Sequence, residues 1–167
     1  MDTIQICPNC GFPAILVNDK AVKYNLTDIA KEKLEPNLKW SICNNPNCNC
    51  SYFSKKQVFT RNDLIKPLFF KDDRDNVPIC YCSDLTRGEI KNAVKHGMKT
   101  IDEVQDFTQK NITGFCEERN PLGKCCRNVF LKTIKEAYEK LIIISPVKKK
   151  RQKRAPKWNF QNVKRRY

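Results

Sequence analysis

The sequence predicts an α+β protein with a small β-rich domain at residues 1–72, a helical domain at 73–145 and a disordered basic tail at 146–167. Three observations lead to this prediction. The ten cysteines fall into two groups, one in each predicted domain. Helix capping signals precede apolar residues at helical spacing in the second part of the chain. Beyond residue 145 the chain is rich in Lys and Arg and contains no Asp or Glu.

Short strands and one small helix are expected in the first domain. Segments 14–17 and 21–24 are predicted to pair as a hairpin across Asn18-Asp19, because Asn and Asp favour turns. Thr27 is a candidate N-cap for a helix that runs to residue 34. A strand at 38–42 should follow.

The rest of the first domain is expected to cover its cysteines and lead to a linker. Four apolar residues are suited to this cover: Tyr52, Phe53, Val58 and Phe59. The charged run at residues 71–75 is the predicted domain boundary.

The second domain should contain three helices. Thr86 and Thr100 each begin a Thr-x-x-Glu capping box, and Gly97 is expected to end the first helix. The face of the second helix that carries Ile101, Val104 and Phe107 is predicted to point inward. A third, longer helix is predicted from the apolar positions Val129, Phe130, Ile134, Ala137, Tyr138 and Leu141.

The first cysteine group has the spacing of a metal site. Cys7 and Cys10 form one short clip, and Cys43 and Cys48 form another, with a stretch between them long enough to fold back. Four thiolates from two such clips suit tetrahedral zinc. Disulfides, or a redox pair at Cys7 and Cys10, are the alternatives.

The second group suits zinc less well. Cys80 and Cys82 are one residue apart, so they are expected to lie on one extended loop and bind the same iron atom. Cys116 and one of the adjacent Cys125 and Cys126 would supply the other iron of an iron-sulfur cluster. A second zinc site and structural thiols remain as alternatives on spacing alone.

Several of these motifs together resemble a known family. They are Cys-Pro-x-Cys-Gly at 7–11, Cys-x-x-Pro-x-Cys at 43–48 with an aromatic pair at 52–53, Cys-Tyr-Cys at 80–82, and Asn-Pro-x-Gly-Lys-Cys-Cys at 120–126. The pattern resembles the N-terminal part of CopZ-type copper chaperones, over roughly residues 1–143. The resemblance implies a zinc domain followed by a 2Fe-2S domain similar to bacterioferritin-associated ferredoxin.

Two ligand assignments stay open under this resemblance. The helix after the last ligand favours Cys125, whereas the Pro-x-Gly loop leaves Cys126 equally able to bind. Cys50 occupies a position where the family more often has an aliphatic residue, so it is predicted to be a buried apolar side chain rather than a zinc ligand.

Other chemistry is poorly supported by the sequence. The Met-x-Cys-x-x-Cys copper loop of full-length chaperones does not occur, so copper delivery is not implied. His96, the only histidine, is expected to be structural at the end of a helix. No nucleophile paired with a base and no phosphate loop is recognisable, so no enzyme activity is expected. The predicted function is that of a small electron-transfer or cluster-carrying protein with an unidentified redox or metal-handling partner.

Charge and targeting complete these expectations. Ten of the 32 Lys and Arg residues lie in the tail. The other 22 are offset by 18 acidic residues, so residues 1–145 carry a net charge of only +4. The basic tail and Trp158 suggest an alternative function, that of a nucleic-acid or ribonucleoprotein-binding subunit whose metals are structural. Contact of the tail with an acidic partner is a further alternative. No leader peptide or membrane segment is recognisable, and the many thiols suit a cytoplasmic protein.

Overall fold

A four-stranded antiparallel sheet forms the framework of the first domain in the computed structural model, which describes residues 5–144. Its strands are β1 (Ala14–Val17), β2 (Trp40–Cys43), β3 (Cys50–Phe53) and β4 (Val58–Thr60), and they lie in chain order. Strands β2 and β3 are buried along their whole length. The sheet therefore carries cysteines at the ends of its two central strands.

The predicted hairpin at residues 14–24 is wrong in its second half. Residues Asp19–Asn25 form helix α1, and β1 pairs with β2 instead. Asn18 acts as an N-cap rather than a turn residue, since its Oδ1 accepts a hydrogen bond from the Ala21 N–H at 2.7 Å. The buried positions at 21, 22, 25 and 26 have helical spacing, which a strand could not bury on one face.

The helix predicted after Thr27 is present but short. Helix α2 covers Asp28–Glu32, and the Thr27 side chain caps it as expected. A 3-10 turn at Arg61–Asp63 follows β4. Helix α1, its C-cap Leu26 and helix α2 pack into one core. This core contains Val22, Leu26, Ala30, Trp40, Ile42, Tyr52, Phe59, Leu64 and Leu68.

The second domain is helical around a small two-stranded ladder. The ladder pairs β5 (Pro78–Cys80) with β6 (Leu85–Thr86). Four helices follow in the described part of the chain: α3 (Arg87–Lys95), α4 (Ile101–Thr108), α5 (Cys116–Arg119) and α6 (Arg127–Ile144). Helix α6 packs along α3, and the pair buries most of this domain's core.

Both predicted capping boxes are confirmed at the starts of α3 and α4. The inward face of α4 is only partly as predicted. Val104 is fully buried, but Phe107 is 40% exposed and its ring lies against His96, with 5.1 Å between ring centroids. His96 caps the end of α3, and its Nδ1 lies 2.9 Å from the carbonyl oxygen of Asn92.

The two domains have separate apolar cores and are in contact. Helix α1 packs against α5, and Phe69 of the first domain packs against the core of the second. The predicted linker at 71–75 is not a uniformly solvated run, since Lys71 is buried against the first domain. Within residues 5–144, none of the helices combines the length and apolar character that spanning a membrane requires. The predicted tail at 146–167 lies outside the described residues.

Candidate metal centres

The first cysteine clip is a tight turn held by main-chain hydrogen bonds. The N–H of Gly11 donates to the Cys7 carbonyl at 2.9 Å, and the N–H of Cys7 donates to the Phe12 carbonyl at 2.9 Å. Gly11 has φ of +70°, a conformation that side chains disfavour. This turn directs both thiols of the clip to one side of the chain.

The second clip continues β2 and leads into β3. Cys43 is the last residue of β2, and Cys48 follows a turn in which the Asn45 side chain accepts a hydrogen bond from the Asn47 N–H at 3.0 Å. The Cys48 N–H donates to the Asn45 carbonyl at 3.2 Å. The sheet therefore presents this clip opposite the first one.

The four predicted zinc ligands come together in a geometry that fits zinc. The Sγ atoms of Cys7, Cys10, Cys43 and Cys48 all lie within 4.8 Å of one another. Two of these separations are 3.9 Å, between Cys7 and Cys48, and 3.8 Å, between Cys10 and Cys43. A tetrahedral zinc with bonds of about 2.3 Å requires sulfur separations of about 3.8 Å.

The electrostatics of these thiols links zinc binding to pH. The Phe12 N–H lowers the pKa of Cys10 to about 7, whereas burial raises the pKa of Cys43 to about 12. Zinc binds thiolates, so it must displace the proton of Cys43 at neutral pH. Zinc affinity therefore falls as pH falls.

Cys50 is a fifth thiol in the same cluster. It is fully buried among Cys7, Cys43, Cys48 and Phe53. Burial is the main cause that raises its pKa, so the neutral thiol is favoured. Of the four apolar residues predicted to cover the site, only Phe53 packs against the cysteines, and Val58 is 45% exposed.

Two cations that the sequence did not single out hold the second clip. The Nζ of Lys71 donates to the carbonyls of Cys48 and Cys50 at 3.0 and 2.7 Å. The Arg61 guanidinium donates to the Cys48 carbonyl through Nε and Nη2, both at 3.2 Å. Four thiolates on Zn²⁺ carry a net charge of −2, which these cations offset. Both cations lie outside the cysteine motifs. The only sequence signal for them was the charged run at residues 71–75, which contains Lys71.

We expect Lys71→Met to weaken zinc binding by about 10–100-fold, the usual effect of removing a group that supports metal ligands. Methionine keeps much of the side-chain volume but leaves the Cys48 and Cys50 carbonyls without their donor. A competition titration with a chromophoric zinc chelator measures the effect. The control is Lys56→Met, because the Lys56 side chain is 68% exposed. Equal affinities in the two variants would contradict the assigned role of Lys71.

The second centre lies where four segments of the helical domain converge. Cys80 ends β5, Cys82 lies in the following turn, and Cys116 begins α5. Cys126 immediately precedes α6, and Phe130 donates its N–H to the Cys126 carbonyl at 2.9 Å. A cavity of about 400 Å³ at this point is lined by all five cysteines of the second group: Cys80, Cys82, Cys116, Cys125 and Cys126.

The thiols of the second centre approach one another closely. The Sγ of Cys82 lies 3.5 Å from that of Cys116, and Cys80 and Cys126 are buried in the same core cluster. That Cys80 and Cys82 bind the same iron stays a prediction. The hydrogen bond from Cys126 lowers the pKa of Cys80 to about 5.

The spread of these thiols fits a binuclear centre better than a second zinc. Within residues 5–144, only the first cysteine group brings three or more donor atoms within 4.8 Å of one another. A single tetrahedral metal would require that compactness, whereas two bridged irons each take one pair. The donor set is therefore suited to a 2Fe-2S cluster.

The geometry distinguishes the two adjacent cysteines that the sequence left open. Cys126 is buried, 8% exposed, and contacts Cys80, whereas Cys125 is exposed. Cys126 also directly precedes the N-terminus of the 18-residue helix α6, so the start of this helix fixes its position. We take Cys126 as the fourth ligand position and Cys125 as a bystander at the rim.

Arg119 is a further residue that sequence reasoning missed. Its Nη1 donates to the carbonyl of Cys82 at 2.9 Å. Its guanidinium lies 4.4 Å from the ring centroid of Phe115 and 5.8 Å from that of Tyr24. Arg119 therefore connects one cluster cysteine to the first domain, a contact with no signature in local sequence.

Comparisons with known proteins agree with both centres. Residues 4–65 match the family model zf_CopZ, described as "Zinc binding domain". Residues 78–118 match the family model Fer2_BFD, described as "BFD-like [2Fe-2S] binding domain". The second match ends before Cys125 and Cys126, so the choice between them rests on the geometry alone.

A curated relative is similar to much of this chain. The chain is 23% identical over 120 residues to the "Copper chaperone CopZ" of Archaeoglobus fulgidus, an alignment that covers 72% of this chain and 57% of that protein. The chain thus spans little more than half the length of this relative.

The fold is similar to that in the "X-ray structure of the Archaeoglobus fulgidus CopZ N-terminal Domain". The TM-score is 0.63 and the identity 22%, with 77% of this chain and 96% of that one covered. The predicted α+β fold is confirmed by this similarity. The predicted resemblance and both cofactors are also confirmed, since the chain carries a CopZ-type zinc binding domain at residues 4–65 followed by a BFD-like 2Fe-2S binding domain at residues 78–118.

Proposed function

We propose that the protein is a small electron carrier in which the 2Fe-2S centre is the working site. The observation that carries this proposal is the arrangement of Cys80 with Cys126 and of Cys82 with Cys116 around a cavity that opens to the surface. A bound 2Fe-2S cluster accepts one electron and returns it without bond rearrangement in the protein. These residues would hold the cluster in a cavity that opens to solvent.

The zinc centre has a different role in this proposal. Zinc has no redox chemistry, and four protein thiolates leave it no open position for water or substrate. The ligands Cys7, Cys43 and Cys48 are buried, and only Cys10 is exposed. This centre therefore stabilises the fold rather than reacting.

The surface beside the cluster cavity suits a protein partner. Ile112 is 54% exposed and Phe115 is 46% exposed, and both are next in sequence to residues that line the cavity, which are Thr113, Gly114 and Cys116. Electron transfer falls steeply with distance, so a partner must approach this edge. Because the relative is named a copper chaperone, we propose a redox or metal-handling protein as this partner.

We also propose a carrier rather than a catalyst, located in the cytoplasm. The cavity lining consists mainly of the cluster cysteines and their neighbours, and the His96 ring lies against Phe107 and the α3 backbone instead of in the cavity. The ten cysteines, all within residues 5–144, form no disulfides, which agrees with a reducing compartment.

Anaerobically purified protein is expected to contain one zinc, two irons and two sulfides, and to undergo reversible one-electron reduction. Metal and sulfide analysis establishes the content, and a dithionite titration followed by electron paramagnetic resonance measures the reduction. A spin one-half signal that disappears on reoxidation is the expected result. Two zincs without iron, or a cluster that cannot be reduced reversibly, would reject the electron-carrier proposal.

A further inference from the structure

We propose that the zinc domain is itself part of the 2Fe-2S site, because its side chains Tyr52 and Asn25 position the loop between Cys116 and Cys126. Neither residue would bind iron. Each acts through the main chain of the loop that presents two of the four cluster thiols. The proposal requires cluster binding by this loop but does not require electron transfer.

The loop between these two ligands has little structure of its own. Helix α5 spans only Cys116–Arg119, a single turn, and isolated helices of this length are not stable. The chain then turns at Asn120 and Pro121, and Gly123 has φ of +63°. Contacts from outside the loop must therefore fix its position.

Three such contacts come from side chains of the zinc domain to carbonyls of the loop. Asn18 Nδ2 donates to the Glu117 carbonyl at 3.1 Å, and Asn25 Nδ2 donates to the Arg119 carbonyl at 3.2 Å. Tyr52 donates its hydroxyl to the Pro121 carbonyl at 2.9 Å. The last carbonyls of a helix lack partners within the helix, so Asn18 and Asn25 satisfy groups that α5 cannot satisfy alone.

The position of Tyr52 makes its contact the strongest of the three. Its side chain is fully buried in the zinc-domain core, and its hydrogen bond to Pro121 is buried as well. Pro121 is itself fully buried, and Leu122 packs into the zinc-domain core. The ion pair of Lys20 with Glu117 at the same interface is exposed and adds little.

The end of the loop lies close to the zinc domain at Gly123. A Cβ atom on Gly123 would lie 2.5 Å from Asn18 Nδ2, closer than atoms can approach. On the other side of the loop, Arg119 donates to the Cys82 carbonyl. The loop is thus held between the zinc domain and the segment that carries Cys82, and its two cysteines take their positions from both.

The test is Tyr52→Phe, which removes one hydroxyl group and keeps the ring in the core. We expect about tenfold faster release of iron to a competing chelator, since a buried carbonyl loses its donor. The reduced-state electron paramagnetic resonance spectrum is also expected to change shape, and zinc content should stay at one per chain. Asn25→Ala, which removes a second donor to the same loop, should accelerate iron release in the same direction.

The matched control is Tyr138→Phe, the same chemical change at a half-buried tyrosine of α6, outside the loop and the zinc domain. Iron release and spectra of Tyr52→Phe that equal those of Tyr138→Phe would overturn the proposal. Loss of zinc in step with iron would also overturn it, because that result indicates general unfolding. If the unmodified protein could not be reduced reversibly, the electron-carrier proposal would be rejected. The comparison of iron release would still test the positioning role of Tyr52.

Discussion

The Cys126→Ala variant is expected to lose its 2Fe-2S cluster, whereas Cys125→Ala should retain it. The two residues are adjacent, yet only Cys126 is buried and in contact with Cys80. Removing Cys126 leaves one iron with a single protein thiolate. Cys125 lines the same cavity but is exposed, so replacing Cys126 would require the backbone before α6 to shift.

Iron and sulfide content and the visible absorption of anaerobic protein measure this difference. We expect Cys126→Ala to fall to near-zero iron and Cys125→Ala to match the unmodified protein. Both variants should retain zinc, which shows that the first domain is folded. The opposite pattern, with iron lost only from Cys125→Ala, would contradict the assignment, and loss from both would show that the loop itself was disturbed.

This pair of cysteines illustrates how far the sequence predicts the candidate site. Spacing identified both cysteine groups because part of each is local. Cys7 and Cys10 are three positions apart, Cys43 and Cys48 five, and Cys80 and Cys82 two. The close approach of Cys82 to Cys116 was not predictable in this way. It depends on how the turn after β5 meets α5, which are distant in sequence.

The same distinction applies to the fold. The capping boxes at Thr86 and Thr100 were predictable because the side chain and the main-chain N–H lie within one turn. The helix α1 was missed because Asn18 suits a turn and an N-cap equally well, and the outcome depends on the apolar face that Ala21 and Val22 bury. The hydrogen bond of Tyr52 to Pro121 joins residues too far apart for any local pattern.

Removal of one zinc ligand, Cys43→Ala, is expected to unfold the first domain and release the cluster from the second. Structural zinc sites contribute about 10–16 kcal/mol in small peptides. Whole domains are stable by only about 5–15 kcal/mol. A sheet whose β2 and β3 meet at this centre should not persist without the metal. The loop between Cys116 and Cys126 then loses its hydrogen bonds from Asn25 and Tyr52.

Zinc and iron analysis together with circular dichroism measures this outcome, and Cys50→Ala is the matched control. Cys50 is as buried as Cys43 and lies in the same cluster, but it stands outside the set of four close donors. Its loss should cost only about 1–2 kcal/mol of folding stability through the small cavity that it leaves, with zinc and cluster retained. Zinc loss from Cys50→Ala would instead make Cys50 a ligand.

The iron content of Cys43→Ala separates two views of how the domains depend on each other. If the helical domain held its cluster alone, iron would stay while zinc and sheet structure were lost. The contacts of α1 and Tyr52 with the loop argue against this independence, because three loop carbonyls obtain their donors from the zinc domain. We therefore expect Cys43→Ala to lose iron, but more slowly than zinc. The four cluster thiols are still present in this variant, and only the contacts that fix their positions are lost.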